Sequence, residues 1–210
     1  MPYPTMEPVT LFTERLLLRP FAESDVEEAL IYRNDEEFAR YLPDIPQPFG
    51  REDAARFVAT NMAGPSDQYP TFAVEFDGKL IGTVNLEVDA DTQTAMIGYA
   101  ISRACWGKGI AAEAARAAIA WGFETFDLAK VWASTDARHT RSRRVLEKLG
   151  MRFEGTLRSH HAGRTGERVD EVMYGLLRQE WEVKPRLYGR LLHPNQGFLM
   201  FPDDRILDPS

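Results

Sequence analysis

Apolar and polar positions change their period several times along this chain. Leu11 to Arg19 alternates as a strand does and ends at Pro20. Phe21 to Asp25 reads as a loop into a helix cap, and Asp25 to Tyr32 follows with Val26, Ala29 and Leu30 at helical spacing. Arg33 to Gly50 is irregular, broken by Pro43, Pro46 and Pro48. Arg51 to Met62 predicts a second helix, with Ala54, Ala55, Phe57, Val58 and Met62 apolar, and Gly64-Pro65 stops it. Three strands come next: Thr71 to Phe76, Lys79 to Val88 and Thr94 to Ile101. Asp77-Gly78 between the first two is a strong tight-hairpin signal, so the three form an antiparallel meander.

The helical period then returns. Ile110 to Phe126 is a long helix carrying seven alanines, more small residues than an amphipathic stripe needs, which predicts close approach to a sheet. Lys130 to Thr135 is a short strand. Arg138 to Leu149 is a helix ended by Gly150, a usual residue just past a helix C-terminus. Met151 to Leu157 and Arg168 to Leu177 read as two strands around a polar turn, Ala162 to Glu167. Helices and strands interleaved after a meander indicate an α+β (mixed α/β) fold.

Composition narrows the class. With 210 residues, 44% hydrophobic and 27% charged, the chain fits one globular domain and is neither a disordered chain nor a coiled coil. Its longest apolar run, Ala117 to Trp121, is far too short for a membrane span. No signal peptide is readable at the start, and Cys105 is the only cysteine, so a cytoplasmic protein without disulfides or a cysteine-based metal cluster is expected. The division expected is a lead-in over 1–10, one domain over 11–182, and a tail over 183–210. That tail holds four prolines but is rich in large apolar residues, so it is expected to pack on the domain or on a homodimer partner. The formal charge of −7 disfavours general nucleic-acid binding and would attract cationic amines.

Two segments run against that charge. In Ile101-Ser102-Arg103-Ala104-Cys105-Trp106-Gly107-Lys108-Gly109-Ile110-Ala111 a strand ends, a glycine loop follows and a helix begins at once. Such a loop points successive N–H groups into one concavity, and the helix N-terminus adds partial positive charge, which suits a phosphate or pyrophosphate. It is neither a Walker A loop nor the dinucleotide fingerprint, and a glycine loop without a ligand would look the same. The second segment, Asp136 to Gly150, carries Arg138, Arg141, Arg143 and Arg144 within seven residues. A solvated helix face, a dock for a phosphorylated ligand and a nucleic-acid-reading helix all have this composition, the last disfavoured because a strand precedes it.

Together these segments resemble the GCN5-related N-acetyltransferases (GNAT), and within them the ribosomal-protein-alanine N-acetyltransferase-like subgroup. The similarity runs from Glu14-Arg15-Leu16-Leu17-Leu18-Arg19-Pro20 through Gly78 to Thr83, Ile97-Gly98-Tyr99, Trp106 to Ala114 and Ser142 to Met151, and ends at Val169 to Gly175. It implies a central, mostly antiparallel twisted sheet of about seven strands flanked by about four helices. It also implies acetyl-CoA as acyl donor and a primary amine, on a protein N-terminus or a small molecule, as acceptor. The backbone of Trp106, Gly107, Lys108, Gly109, Ile110 and Ala111 would hold the pyrophosphate. Tyr99, Ala100 and Ile101 would pair with the pantetheine arm, and His139, Ser142 and Arg143 would lie along the cofactor. The family reacts by direct attack in a ternary complex, which leaves Cys105 a bystander.

That chemistry needs a base to take the amine proton and an acid to help the thiolate leave. Met96 stands where many relatives carry Glu, a candidate base, and His139 where many carry Asn. Ser142 is the candidate acid or thiol contact. His160 and His161 are candidate bases because histidine titrates near neutrality, and Glu87 is a further one. A non-catalytic acyl-CoA-binding or regulatory module is the alternative that Met96 keeps open.

Overall fold

The computed structural model describes residues 8–63 and 68–183. In chain order the strands are β1 (Leu11–Phe12), β2 (Leu16–Arg19), β3 (Thr71–Phe76), β4 (Lys79–Asp89), β5 (Thr94–Ile101), β6 (Lys130–Asp136), β7 (Arg152–Ala162) and β8 (Arg168–Leu177). The helices are α1 (Val26–Arg33), α2 (Glu36–Ala39), α3 (Arg51–Ala63), α4 (Ile110–Phe126), α5 (Thr140–Leu149) and α6 (Arg178–Val183), with 3-10 turns at Glu23–Asp25 and Arg103–Cys105. The strands form one sheet in the order β1-β2-β3-β4-β5-β6-β8-β7. Every neighbouring pair is antiparallel except β5 with β6. The mixed, mostly antiparallel sheet is as expected, with eight strands rather than about seven and six helices rather than about four.

The sheet buries a core on each face. On one face α4 and α5 pack on alternate residues of β3 to β8, including Val74, Val84, Leu86, Ala95, Ile97, Val131 and Leu176. Ala114, Ala115 and Ala118 are fully buried there, so the alanine-rich helix lies close on the sheet as its composition predicts. On the other face α1, α2 and α3 enclose a second core with Phe21, Tyr32, Phe38, Phe49 and Val58. At the end of the described residues, α6 sets Trp181 against Phe123 at 6.0 Å between ring centroids.

Four expectations are corrected. Leu11 to Arg19 is two strands, because the polar Thr13-Glu14-Arg15 makes a turn in which the Thr13 N–H donates to the Leu16 carbonyl at 3.0 Å. Helix α5 starts at Thr140 rather than Arg138, because Asp136 Oδ1 captures the Arg138 N–H at 2.8 Å and holds it outside the helix. The irregular stretch from Arg33 to Gly50 contains α2, capped by Asp35 Oδ1 accepting from the N–H groups of Glu37 and Phe38. Strand β7 runs to Ala162 rather than Leu157, because β8 supplies partners as far as Ala162↔Arg168. The expectation for the tail over 183–210 falls, beyond Val183 at the end of α6, outside the described residues.

Candidate functional site

Strands β5 and β6 pair only from Thr94↔Lys130 to Met96↔Trp132. Beyond that, Ile97 to Ile101 keeps its partners on β4 and Ala133 to Asp136 keeps its partners on β8. The two strands therefore part into a wedge that opens toward their C-terminal ends. An antiparallel strand turns alternate N–H and C=O groups away from its partner, so the Tyr99-Ala100-Ile101 stretch presents a free backbone edge to the wedge.

The glycine loop lies at the end of β5. Gly109 is the residue before α4 and adopts φ 79°, ψ 0°, a left-handed conformation that glycine alone adopts without strain. Among the described residues, the backbone N–H groups of Gly107, Lys108, Gly109, Ile110 and Ala111 donate to no backbone acceptor outside the helix ladder. Five such donors at the start of a 17-residue helix suit an anion such as a phosphate group.

The loop is braced from two sides. Arg15 donates to the Lys108 carbonyl at 3.0 Å and to Glu113 Oε2 at 2.8 Å, while Thr13 Oγ1 donates to Glu113 Oε1 at 2.6 Å. Burial pushes the Glu113 carboxyl up, but these hydrogen bonds outweigh it and hold the group below the usual carboxylate range. On the other side Trp106 Nε1 donates to the Ile101 carbonyl at 2.7 Å, and the Arg141 guanidinium lies 4.5 Å from the Trp106 ring centroid.

Gly109→Val tests the loop directly. A side chain there has room, since an added Cβ would lie no nearer than 3.7 Å, at the Arg15 guanidinium. The penalty is conformational, roughly 1–2 kcal/mol for leaving glycine's left-handed region. Titration calorimetry is expected to show acetyl-CoA binding about 5- to 30-fold weaker, with the melting temperature nearly kept.

The two walls of the wedge meet at a pair of hydroxyls. Tyr99, on the free stretch of β5, places its Oη 3.0 Å from Ser142 Oγ and donates to the Ser142 carbonyl at 3.2 Å. Ser142 lies in the first turn of α5, which follows β6, so this contact bridges the opening. Burial pushes the Tyr99 phenol up to about 12, partly offset by its hydrogen bond with Ser142. His139 precedes α5 and stacks on Tyr41 at 4.2 Å between centroids. Burial, reinforced by the Arg141 charge, pushes its imidazole down to about 4, so it is neutral at physiological pH. Arg143 points elsewhere, toward Tyr174 Oη at 3.3 Å and the Ala137 carbonyl at 3.4 Å.

The candidate bases separate. Glu87 is exposed, accepts from Tyr69 Oη at 3.4 Å and stands opposite Met96, where β5 and β6 are still paired. His160 puts Nε2 3.4 Å from Glu171 Oε2. His161 is half-buried, and its Nδ1 is buried with no hydrogen-bond partner. Nearby, at the open end of β6, burial pushes the Asp136 carboxyl up, but the Arg138 contacts, with a smaller contribution from His161, outweigh it and hold the group below its usual range. Cys105 is free and buried against α4.

A cleft of about 690 Å³ is lined by Asp35, Glu36, Glu37, Arg40, Gln47, Arg103 and Arg164. Tyr41, Arg164 and Glu113 escaped the sequence reading, because each acts through a partner about 100 residues or more away.

A wedge between two parallel strands, flanked by a helix-start anion site and a bridging pair of hydroxyls, defines an acyl-CoA-dependent transferase. Residues 15–152 match the acetyltransferase (GNAT) domain family. The chain is 30% identical over 178 residues to the uncharacterized N-acetyltransferase p20 of Bacillus licheniformis, covering 82% of this chain and 98% of that protein. The crystal structure of a GNAT-family acetyltransferase from Bacillus anthracis superposes with a TM-score of 0.73 at 32% identity, over 82% of this chain and all of that one. A ribosomal L7/L12 alpha-N-protein acetyltransferase solved with coenzyme A shares the fold, with a TM-score of 0.73 at 17% identity over 82% of this chain and 99% of that one. The chain belongs to the GNAT acetyltransferase family. It is an acetyl-CoA-dependent N-acetyltransferase.

Proposed function

We propose that residues 11–182 form one catalytic unit that moves an acetyl group to a primary amine by direct attack within a ternary complex. The observation that carries this reading is the Tyr99–Ser142 hydroxyl bridge across the wedge, beside the free amides of Gly107 to Ala111. Acetyl-CoA, when bound, supplies an activated thioester. The loop amides hold its pyrophosphate, and the free edge of Tyr99 to Ile101 pairs with its pantetheine arm. His139 and Ser142 line that arm, and Arg143 stands behind them, against Tyr174.

The acid and base fall on opposite sides of the reacting centre. Tyr99 Oη keeps its proton at every working pH and, with Ser142 Oγ, donates it toward the departing thiolate. His161, with its unpartnered Nδ1, takes the proton from the attacking amine, ahead of His160, which is occupied by Glu171, and of Glu87, at the closed end. Free N–H groups of β5 beside Tyr99 supply a donor for the oxygen that gains charge. Cys105 has no part, so no acyl-enzyme forms.

The acceptor is a chain-terminal or small-molecule primary amine, and the net charge of −7 favours a cationic one. The test is thiol release from acetyl-CoA with three amines: an alanine-initiated peptide, spermidine and an aminoglycoside. Release is expected with at least one, and double-reciprocal plots at varied acetyl-CoA should intersect. Parallel lines would indicate a covalent acetyl-enzyme and overturn the mechanism.

A further inference from the structure

We propose that Arg164 is a positioning residue for the acceptor site, holding residues 35–45 as a strap across the open end of the wedge. This rests on the reading of the wedge as the place of acetyl transfer. The strap starts at Asp35, runs through α2 and ends at Ile45. Near β5 it is anchored by Arg103, two residues past that strand's end, whose Nε lies 3.1 Å from Asp35 Oδ2. On the opposite side of the wedge three contacts reach it, one of them Arg141 Nη1 of α5, 3.2 Å from Glu37 Oε1. Tyr41 stacks on His139 before α5, and Arg164 reaches in from the β7–β8 turn. Because β5 and β6 lie between the elements so joined, the strap spans the ends of both strands.

The Arg164 contact is dense. Its guanidinium serves three strap carbonyls: Nε donates to Ala39 at 3.2 Å, and Nη2 donates to Leu42 at 2.5 Å and Ile45 at 2.8 Å. The carbonyls of Ala39 and Leu42 also accept from the N–H groups of Leu42 and Ile45, so the arginine fills lone pairs that the strap's own turns leave over. A planar fork with several fixed donors suits this task, and a lysine does not match it.

Neither end of this contact depends on it for folding. The β7–β8 turn closes through Gly163 N–H on the Glu167 carbonyl at 2.7 Å, and Arg138 ties Glu167 to Asp136 at the end of β6. Beneath the strap, Phe38, Ala39 and Ile45 are buried in the core shared with α1 and α3. Loss of Arg164 therefore loosens the strap's outer course and leaves the sheet intact. A substrate entering the wedge from the α1–α3 face passes this strap, so the strap's position sets how well an acceptor fits. Acetyl-CoA is held chiefly from the α4–α5 side, by the loop amides and the β5 edge, which Arg164 does not touch; the strap meets that side through Tyr41 on His139 and Glu37 on Arg141.

The experiment compares the full chain with Arg164→Ala and Arg164→Lys, using the best acceptor of the three amines above. Hydrogen exchange of a peptide covering residues 38–49 is expected to be about tenfold faster in Arg164→Ala. The acceptor KM should rise about tenfold, with the KM for acetyl-CoA within about twofold and kcat within about threefold. Arg164→Lys should recover part of both effects. Unchanged exchange would overturn the clamp. Faster exchange with an unchanged acceptor KM, or both KM values and the melting temperature moving together, would overturn the positioning role. If the unmodified chain acetylates none of the amines, the proposed function fails and takes the acceptor role with it, whereas exchange still reports on the clamp itself.

Discussion

Tyr99→Phe is expected to lower kcat by about 100-fold or more, the lower end of what a positioned proton donor contributes. The substitution removes one oxygen and keeps the ring. That oxygen is 3.0 Å from Ser142 Oγ and donates to the Ser142 carbonyl, so its loss takes the proton source from one wall of the wedge and the bridge to the other. Acetyl-CoA affinity should change by no more than about threefold, because the loop amides and the β5 backbone edge hold the cofactor. Stability should fall by roughly 1 kcal/mol, the usual net value of one buried hydrogen bond. The pH profile adds an independent check. Burial disfavours the phenolate, so the phenol holds its proton until about pH 12 and contributes no alkaline fall below that. Stopped-flow thiol release at saturating substrates measures the rate. A kcat within twofold of the unmodified enzyme would assign the proton to another donor.

Gly82→Ala should destabilise the fold by about 3 kcal/mol, near the upper end for an overpacked core. A Cβ at Gly82 would overlap the Ala100 carbonyl oxygen and sit 2.9 Å from the Ile101 Cα. Both are backbone atoms of β5, so no side-chain rotation relieves the clash. Relief requires β4 and β5 to separate at Gly82↔Ile101, where β5 presents its free edge to the wedge. For a domain of this size the melting temperature should fall by about 6–12 °C. Acetyl-CoA binding should weaken as well. Gly155→Ala in β7, where an added Cβ meets nothing within 4 Å, serves as the control and should melt within a few degrees of the parent. Equal melting of both variants would remove the close approach as the cause.

The two glycines illustrate what a sequence shows and what it hides. Gly109 was readable, because its neighbours alone place it between a strand end and a helix start. Gly82 reads only as part of a strand, because its constraint comes from Ala100 on the neighbouring strand. The same division holds for whole elements. Thr71–Phe76, Thr94–Ile101 and Ile110–Phe126 begin and end where the pattern predicts, each bounded by its own turn or cap residues. Helix α2 has only four residues among prolines, too few for a period, and it is set by the Asp35 cap and the core beneath. Polar Arg158 to His161 falls between the predicted strand and the predicted turn and is strand, because β8 pairs with its far end.

The candidate site divides likewise. The glycine loop is legible because a loop's backbone and a helix start are local properties, whereas the Ile-Gly-Tyr strand and Ser142 stand out only through the family resemblance. Of the candidate bases, only the three-dimensional arrangement separates His161, whose Nδ1 has no hydrogen-bond partner, from the exposed Glu87 and from His160, whose Nε2 lies against Glu171. Local chain chemistry thus determined the mixed α/β class, most of the elements and the anion-binding loop, since those depend on interactions within a few residues. Tertiary structure alone decided that β5 and β6 part after three paired positions, that Tyr99 reaches Ser142 across the gap, and that Arg164 crosses 119 to 125 residues of chain to pin the strap. Those are long-range packing outcomes, in which each partner's local sequence carries no record of the other.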